Sequence, residues 1–146
     1  MITYQKELAL ETKTQFELVN ITPAVKDALK KSRVQSGVVT VFAPHTTASI
    51  RINHDEALLK QDLMKFLYHL VPIDQSYAHD FFEIRNNPRP DERSNGHAHV
   101  KAFLLGQSQS IPVEDGEMTL GERQNIFFVE LDGGRKRRAI IKILGE

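Results

Sequence analysis

The second half of the chain reads as strand after strand, and this pattern limits the fold more than any other feature of the 146 residues. Residues 98–105, 108–113, 125–131 and 137–144 are strand-like, with turn chemistry at Glu114-Asp115-Gly116 and Asp132-Gly133-Gly134 between them. In residues 2–10, Ile2, Tyr4, Leu8 and Leu10 share one parity, as in a strand with one buried face. Phe16 and Leu18 continue the period, and a hairpin of the first two strands is expected. Residues 38–43 and 47–52 are two more strands, separated by Pro44-His45. Strand pairs joined by turns point to an α+β fold with largely antiparallel sheet rather than a doubly wound fold. The length suits a single domain, 1–146, with a real core.

Two main helices interrupt the strands. Thr22 before Pro23 has the form of an N-cap followed by proline at the first helical position. Val25, Ala28 and Leu29 give that helix a short apolar stripe, and Gly37 is expected to stop it. The second helix has capping-box spacing at Asn53 and Glu56. Leu59, Leu63, Phe66, Leu67 and Leu70 then recur at three and four residues, which predicts a core helix ending at Pro72.

Bulk chemistry removes several function classes. A hydrophobic content of 40% and a charged content of 26% are those of a soluble globular protein. A formal net charge of zero argues against a general nucleic-acid binder. With no cysteine there is no disulfide and no thiolate metal site. Residues 1–7 carry no apolar run of signal-peptide type, and no stretch approaches the ~20 apolar residues of a membrane span. The expectation is a cytoplasmic protein with neither nucleic-acid nor membrane partners.

Chemistry concentrates in three places. In Ala43-Pro44-His45-Thr46-Thr47-Ala48-Ser49-Ile50, a histidine and three hydroxyls sit at a strand end, where Pro44 restricts the backbone. These groups suit a binding site on rigid elements, and equally a turn whose hydroxyls satisfy local backbone. The connection 72–96, with Pro72, Asn86, Asn87, Pro88, Pro90, Asn95 and Gly96, is long enough to be functional or mobile, and it carries His79-Asp80. His97 and His99, on the expected strand, would share a face. His45, His79 and one of that pair could form a three-histidine metal site, although no established zinc spacing is matched and surface histidines are common. His69 is read as structural. Finally, Arg135-Lys136-Arg137-Arg138 follows a turn. On a strand, Arg135 and Arg137 face one way, as a phosphate site or as charge protecting an edge. No GxxxxGK[ST], GxGxxG or GxSxG occurs.

The chain resembles the YjbQ-like family of small proteins, also described as secondary thiamine-phosphate synthase-like. His45-Thr46-Thr47-Ala48-Ser49 is similar to the family's His-Thr-Ser/Thr-Ala-Ser segment. Asn53 and Asp62 match positions around the following helix, His79-Asp80 matches a loop His-Asp pair, and His99-Val100-Lys101 matches a His-hydrophobic-Lys. Leu105-Gly106, Ser108, Ile111, Val113, Gly116, Gly121, Gln124 and Ile126 follow in order, then Asp132-Gly133-Gly134 and Gly145-Glu146. Glu122-Arg123 replaces the usual Thr-Trp. His54 stands where many members have glutamate, which removes a candidate acid–base carboxylate or exchanges it for an imidazole.

The resemblance implies an α+β fold of β-sandwich character and assembly as a homotrimer. It implies a pocket where His45, His79 and His99 hold a divalent metal, zinc or magnesium, with His54 as a further catalytic candidate. It also implies a weak thiamine-phosphate synthase activity on phosphorylated small molecules. That reaction needs cationic help for a departing pyrophosphate. Thr46, Thr47, Ser49, Asn53, Arg135 and Arg137 are the phosphate-binding candidates. The alternative is a non-catalytic metal- or ligand-binding homotrimer.

Overall fold

The computed structural model describes residues 1–86 and 88–146, so Asn87 of the long connection lies outside the described residues. The elements run β1 (Ile2–Glu11), β2 (Glu17–Asn20), α1 (Thr22–Ser32), β3 (Gly37–Phe42), β4 (Ala48–Asn53), α2 (Ala57–Leu70), a 3₁₀ turn (Ala78–Asp80), α3 (Gly96–Leu105), β5 (Ser108–Glu114), β6 (Glu117–Met118), β7 (Asn125–Glu130) and β8 (Lys136–Gly145). They form two antiparallel sheets, β1-β8-β3-β5-β6 and β2-β7-β4. The fold is α+β in one domain.

The main core lies between the sheets. Val39, Val41, Ile111, Val113, Ala139, Ile141 and Ile143 of the larger sheet pack with Ile50, Ile126 and Phe128 of the smaller, and α1 adds Val25, Ala28 and Leu29. A second cluster lies on the other side of β7, where Phe127 and Val129 meet Ala98 and Ala102 of α3. Burial on both faces explains why Ile126-Phe127-Phe128-Val129 is continuously apolar rather than alternating.

Several expectations from the sequence are corrected. β1 and β2 do not form a hairpin. β1 pairs with β8 along its whole length, and the chain then crosses to the other sheet, where β2 pairs with β7. Thr22 is the first residue of α1 rather than its cap, and its hydroxyl accepts from the Ile126 amide at 2.8 Å. Arg33 ends α1 in the left-handed region at φ 64°. Gly37 belongs to β3, where a Cβ would collide with the Leu144 carbonyl. Asn53 stays in β4, and Glu56 caps α2 by accepting from the amides of Leu58 and Leu59. Of the stripe expected to be core on α2, only Leu67 is fully buried, and Phe66 is 60% exposed. The strand expected at 98–105 is the helix α3, because Ala98 and Ala102 are spaced to cover Phe127 and Val129. No helix among the described residues is long and apolar enough to cross a membrane.

One end of the sandwich is closed by charge. On β8, Arg137 takes an inward position in line with Ala139, Ile141 and Ile143, and on β7 Glu130 does the same in line with Ile126 and Phe128. Arg137 Nε donates to Glu130 Oε2 at 2.7 Å and Nη2 to Oε1 at 2.6 Å. Nη2 also donates to Thr47 Oγ1 at 2.8 Å. Glu130 further accepts from the Thr12 hydroxyl at 2.8 Å and the Asp132 amide at 2.9 Å. Burial pushes the Glu130 carboxyl up, but the bonds from Arg137, Asp132 and Thr12 outweigh it and hold it below its ordinary value.

Arg137→Ala strands Glu130 as a buried charge and is expected to cost ~3–5 kcal/mol of unfolding free energy. The double variant Glu130→Leu/Arg137→Met should lose much less. Denaturant titration of the three proteins checks this, and a single variant as stable as the parent would contradict it.

Candidate functional site

The charged end of the sandwich opens into a cleft of about 1030 Å³. The 43–47 segment supplies His45, Thr46 and Thr47, and the start of β8 with the residue before it supplies Arg137 and Arg135. The connection between α2 and α3 folds over this end and brings His79, Arg85, Arg89, Asp91, Glu92, Arg93 and Asn95, while α3 adds His99 and Phe103. Five arginines line the cleft with Asp91 and Glu92, and the buried Glu130 and Asp132 pair with Arg137, Arg135 and Arg93 behind them, so five guanidinium groups meet four carboxylates.

Hydrogen bonds hold this lining in place. His45 Nε2 lies 3.1 Å from both the amide nitrogen and the carbonyl oxygen of Arg138, and its ring stands edge-on to Phe128 at 6.2 Å. Arg85 bonds the His79 carbonyl at 3.2 Å and pairs with Glu92 at 3.2 Å. Asp132, nearly buried, accepts from Asn95 at 2.8 Å and from Arg135 at 3.4 Å, and its carbonyl accepts from Arg93 at 3.0 Å. Two buried polar atoms of the lining, His79 Nε2 and Asn95 Oδ1, have no hydrogen-bond partner among the described residues. Such atoms are rare in folded proteins.

The residues singled out from the sequence separate into groups. His45, His79, His99, Thr46, Thr47, Arg135 and Arg137 all line the cleft. The His79 and His99 rings meet at 4.6 Å. Among the described residues, however, no three His, Cys, Asp or Glu side chains are grouped closely enough to hold a metal ion. His45, His79 and His99 thus do not fit a three-ligand zinc or magnesium site within one chain.

Ser49 is buried and donates to the Gly106 carbonyl, which ties β4 to the end of α3. Asn53 and His54 are at the far end of β4, roughly 17 Å along the strand from its cleft end, and do not join the site. Arg137 spends Nε and Nη2 on Glu130 and Thr47, leaving only Nη1 for a ligand. Because α3 is a helix, His97 and His99 point apart rather than sharing a face. His97 meets Lys101 Nζ at 2.9 Å in the interior. Arg85, Arg89 and Arg93 were not foreseen, although arginines spaced by four in a proline-rich connection were visible.

A family model described as UPF0047 protein YjbQ-like matches residues 6–146. The chain belongs to this family. A UPF0047 protein of Methanothermobacter thermautotrophicus is 39% identical over 146 residues, covering 100% of this chain and 95% of that one. The family protein YugU of Bacillus subtilis is 32% identical, over 96% of this chain and 98% of its own. A YbjQ-like protein of unknown function from Sulfolobus solfataricus P2 has a crystal structure that matches with a TM-score of 0.90 at 34% identity, covering 99% of this chain and 98% of that one.

Burial lowers the pKa of His45, His97 and His99 below the ordinary 6.5, aided by Arg137, Lys101 and His79 respectively. On acidification the unfolded chain takes up these protons first. Stability is therefore full above about pH 6.5 and falls as pH drops through the lower folded values. Thermal unfolding midpoints should decline between about pH 6.5 and pH 5, and a flat profile there would contradict it.

Proposed function

We propose that the cleft binds a phosphorylated small molecule and that the protein acts on it as an enzyme of the thiamine-phosphate synthase type. The observation that carries this reading is the convergence of Arg85, Arg89, Arg93, Arg135 and Arg137 on one cleft, beside His79 Nε2, which makes no hydrogen bond among the described residues and lies 3.9 Å from Glu92 Oε1. Guanidinium groups bind phosphate oxygens bidentately, and each charge-assisted bond contributes ~1.5–3 kcal/mol. In the proposed transfer, a thiazole nitrogen forms a bond to the methylene carbon of a pyrimidine diphosphate. The carbon–oxygen bond to the diphosphate breaks, and pyrophosphate leaves with the electron pair. The arginines would stabilise that leaving charge. Pre-existing pairs such as Arg85–Glu92 and Arg93–Asp132 hold them near their binding positions, so less side-chain freedom is lost on binding.

Calorimetric titration with pyrophosphate, followed by a pyrophosphate-release assay, tests the reading. Arg135→Ala should weaken binding ~10-fold or more, about 1.4 kcal/mol. Arg138→Ala should do much less, because Arg138 points away to Glu7 at 3.0 Å. Small and equal effects would reduce the arginines to a solvated edge.

A second reading is a non-catalytic metal- or ligand-binding homotrimer, and one observation supports its assembly. Phe66 on α2 and Phe103 on α3 are 60% and 88% exposed, and Leu58 and Leu70 of α2 and Leu104 of α3 are exposed as well. Apolar side chains unburied within one chain suit contact between copies. Light scattering at micromolar concentration should give three times the 16.6 kDa chain mass, and a monomer mass would refute the assembly.

A further inference from the structure

A second, smaller cavity of about 430 Å³ lies between α2, the β1–β2 connection and α3. Phe16, Met64, Leu67, Tyr68 and Ile73 make most of its wall, Thr14 and Gln15 add polar groups at one side, and the one charged lining residue is Lys101. Lys101 is 4% exposed, and no carboxylate among the described residues pairs with it. Its one hydrogen-bond partner among the described residues is His97 Nδ1, at 2.9 Å. Lysines are almost never buried without a partner charge, so this one calls for a chemical reason.

We propose that Lys101 is an imine-forming nucleophile, and that the cavity takes a small apolar aldehyde or ketone. The arrangement has the parts that such chemistry uses: an amine in a desolvated apolar pocket, and a base within hydrogen-bond reach. Lys101 Nζ attacks the carbonyl carbon, the C–N bond forms, and the C=O π pair moves to oxygen. His97 Nδ1 relays two protons in turn: the first passes from the attacking amine to the alkoxide oxygen, giving the carbinolamine, and the second from the carbinolamine nitrogen to its hydroxyl, which leaves as water. The product is a C=N bond to Lys101, with no oxidation or reduction. Aromatic and aliphatic walls favour an alkyl or aryl carbonyl compound over a keto acid, whose carboxylate would find no second cation among the lining residues.

The test uses the whole protein at neutral pH with hexanal and sodium cyanoborohydride, which reduces an imine to a stable secondary amine. Intact mass and peptide mapping at limiting aldehyde should show a single alkyl adduct, on the Lys101 peptide. Lys101→Met should lose that adduct, and His97→Gln should slow it while leaving surface lysines unchanged. The wild-type map stands even if a variant fails to fold. Adducts spread over exposed lysines with Lys101 unmodified would overturn the proposal. An unchanged Lys101 rate in a folded His97→Gln protein would overturn the role of His97 as base.

Discussion

The buried Glu130–Arg137 pair is the interaction on which the rest of the site depends. Each partner occupies an inward position of its own sheet, where the neighbouring inward residues are aliphatic or aromatic. The pair is neutralised internally, and Thr12, Thr47 and the Asp132 amide complete its hydrogen bonds. A buried ion pair is often no more stabilising than a well-packed apolar substitute. What it does here is end the apolar core at a defined layer. Beyond that layer the interior becomes a polar cleft, with Arg137 in its lining. Stability and the electrostatics of the cleft therefore share one residue.

Above this layer the cleft is built from segments far apart in sequence. The 43–47 turn, the approach to β8 and α3 supply its fixed side, and the long connection supplies the rest. The connection is anchored by side chains rather than by regular structure. Arg93 bonds the Asp132 carbonyl, Asn95 bonds the Asp132 carboxylate, and Asp80 accepts from the Gly96 amide at 3.0 Å where α3 begins. Asp132 thus ties a turn of the sandwich to the segment that covers it. An acid at this position serves order as much as charge balance, because it fixes groups that would otherwise pay entropy on meeting a ligand.

What could be read from the sequence divides along physical lines. Period-two patterns and turn residues located most strands, since alternation is a local signal. α3 was misread because Gly96-His97-Ala98-His99-Val100 alternates small and larger residues over too short a span, and the helix is decided by Phe127 and Val129 beneath Ala98 and Ala102. The pairing of β1 with β8 and not β2 depends on contacts across the whole chain, which no window contains. In the site, residues next to rigid strand ends, His45, Thr47 and Arg135, were legible. The arginines of the long connection were not, because spacing in an irregular segment says little about where side chains point. Asn53 and His54 lie away from the cleft for a simpler reason: a strand carries residues adjacent in sequence steadily away from its end.

β7 has a consequence of its own. In most half-buried strands a slip of one residue is forbidden because it exposes the apolar face. β7 is apolar on both faces, so shifting Phe127 and Phe128 by one place would exchange one aromatic ring for another and cost little in hydrophobic terms. Its alignment must instead be pinned from its two tips. At one tip Asn20 bonds Asn125 at 3.1 Å, and at the other Glu130 meets Arg137. The polar residues at the margins act as the index marks of the central strand, and its aromatic middle only fills the space they define.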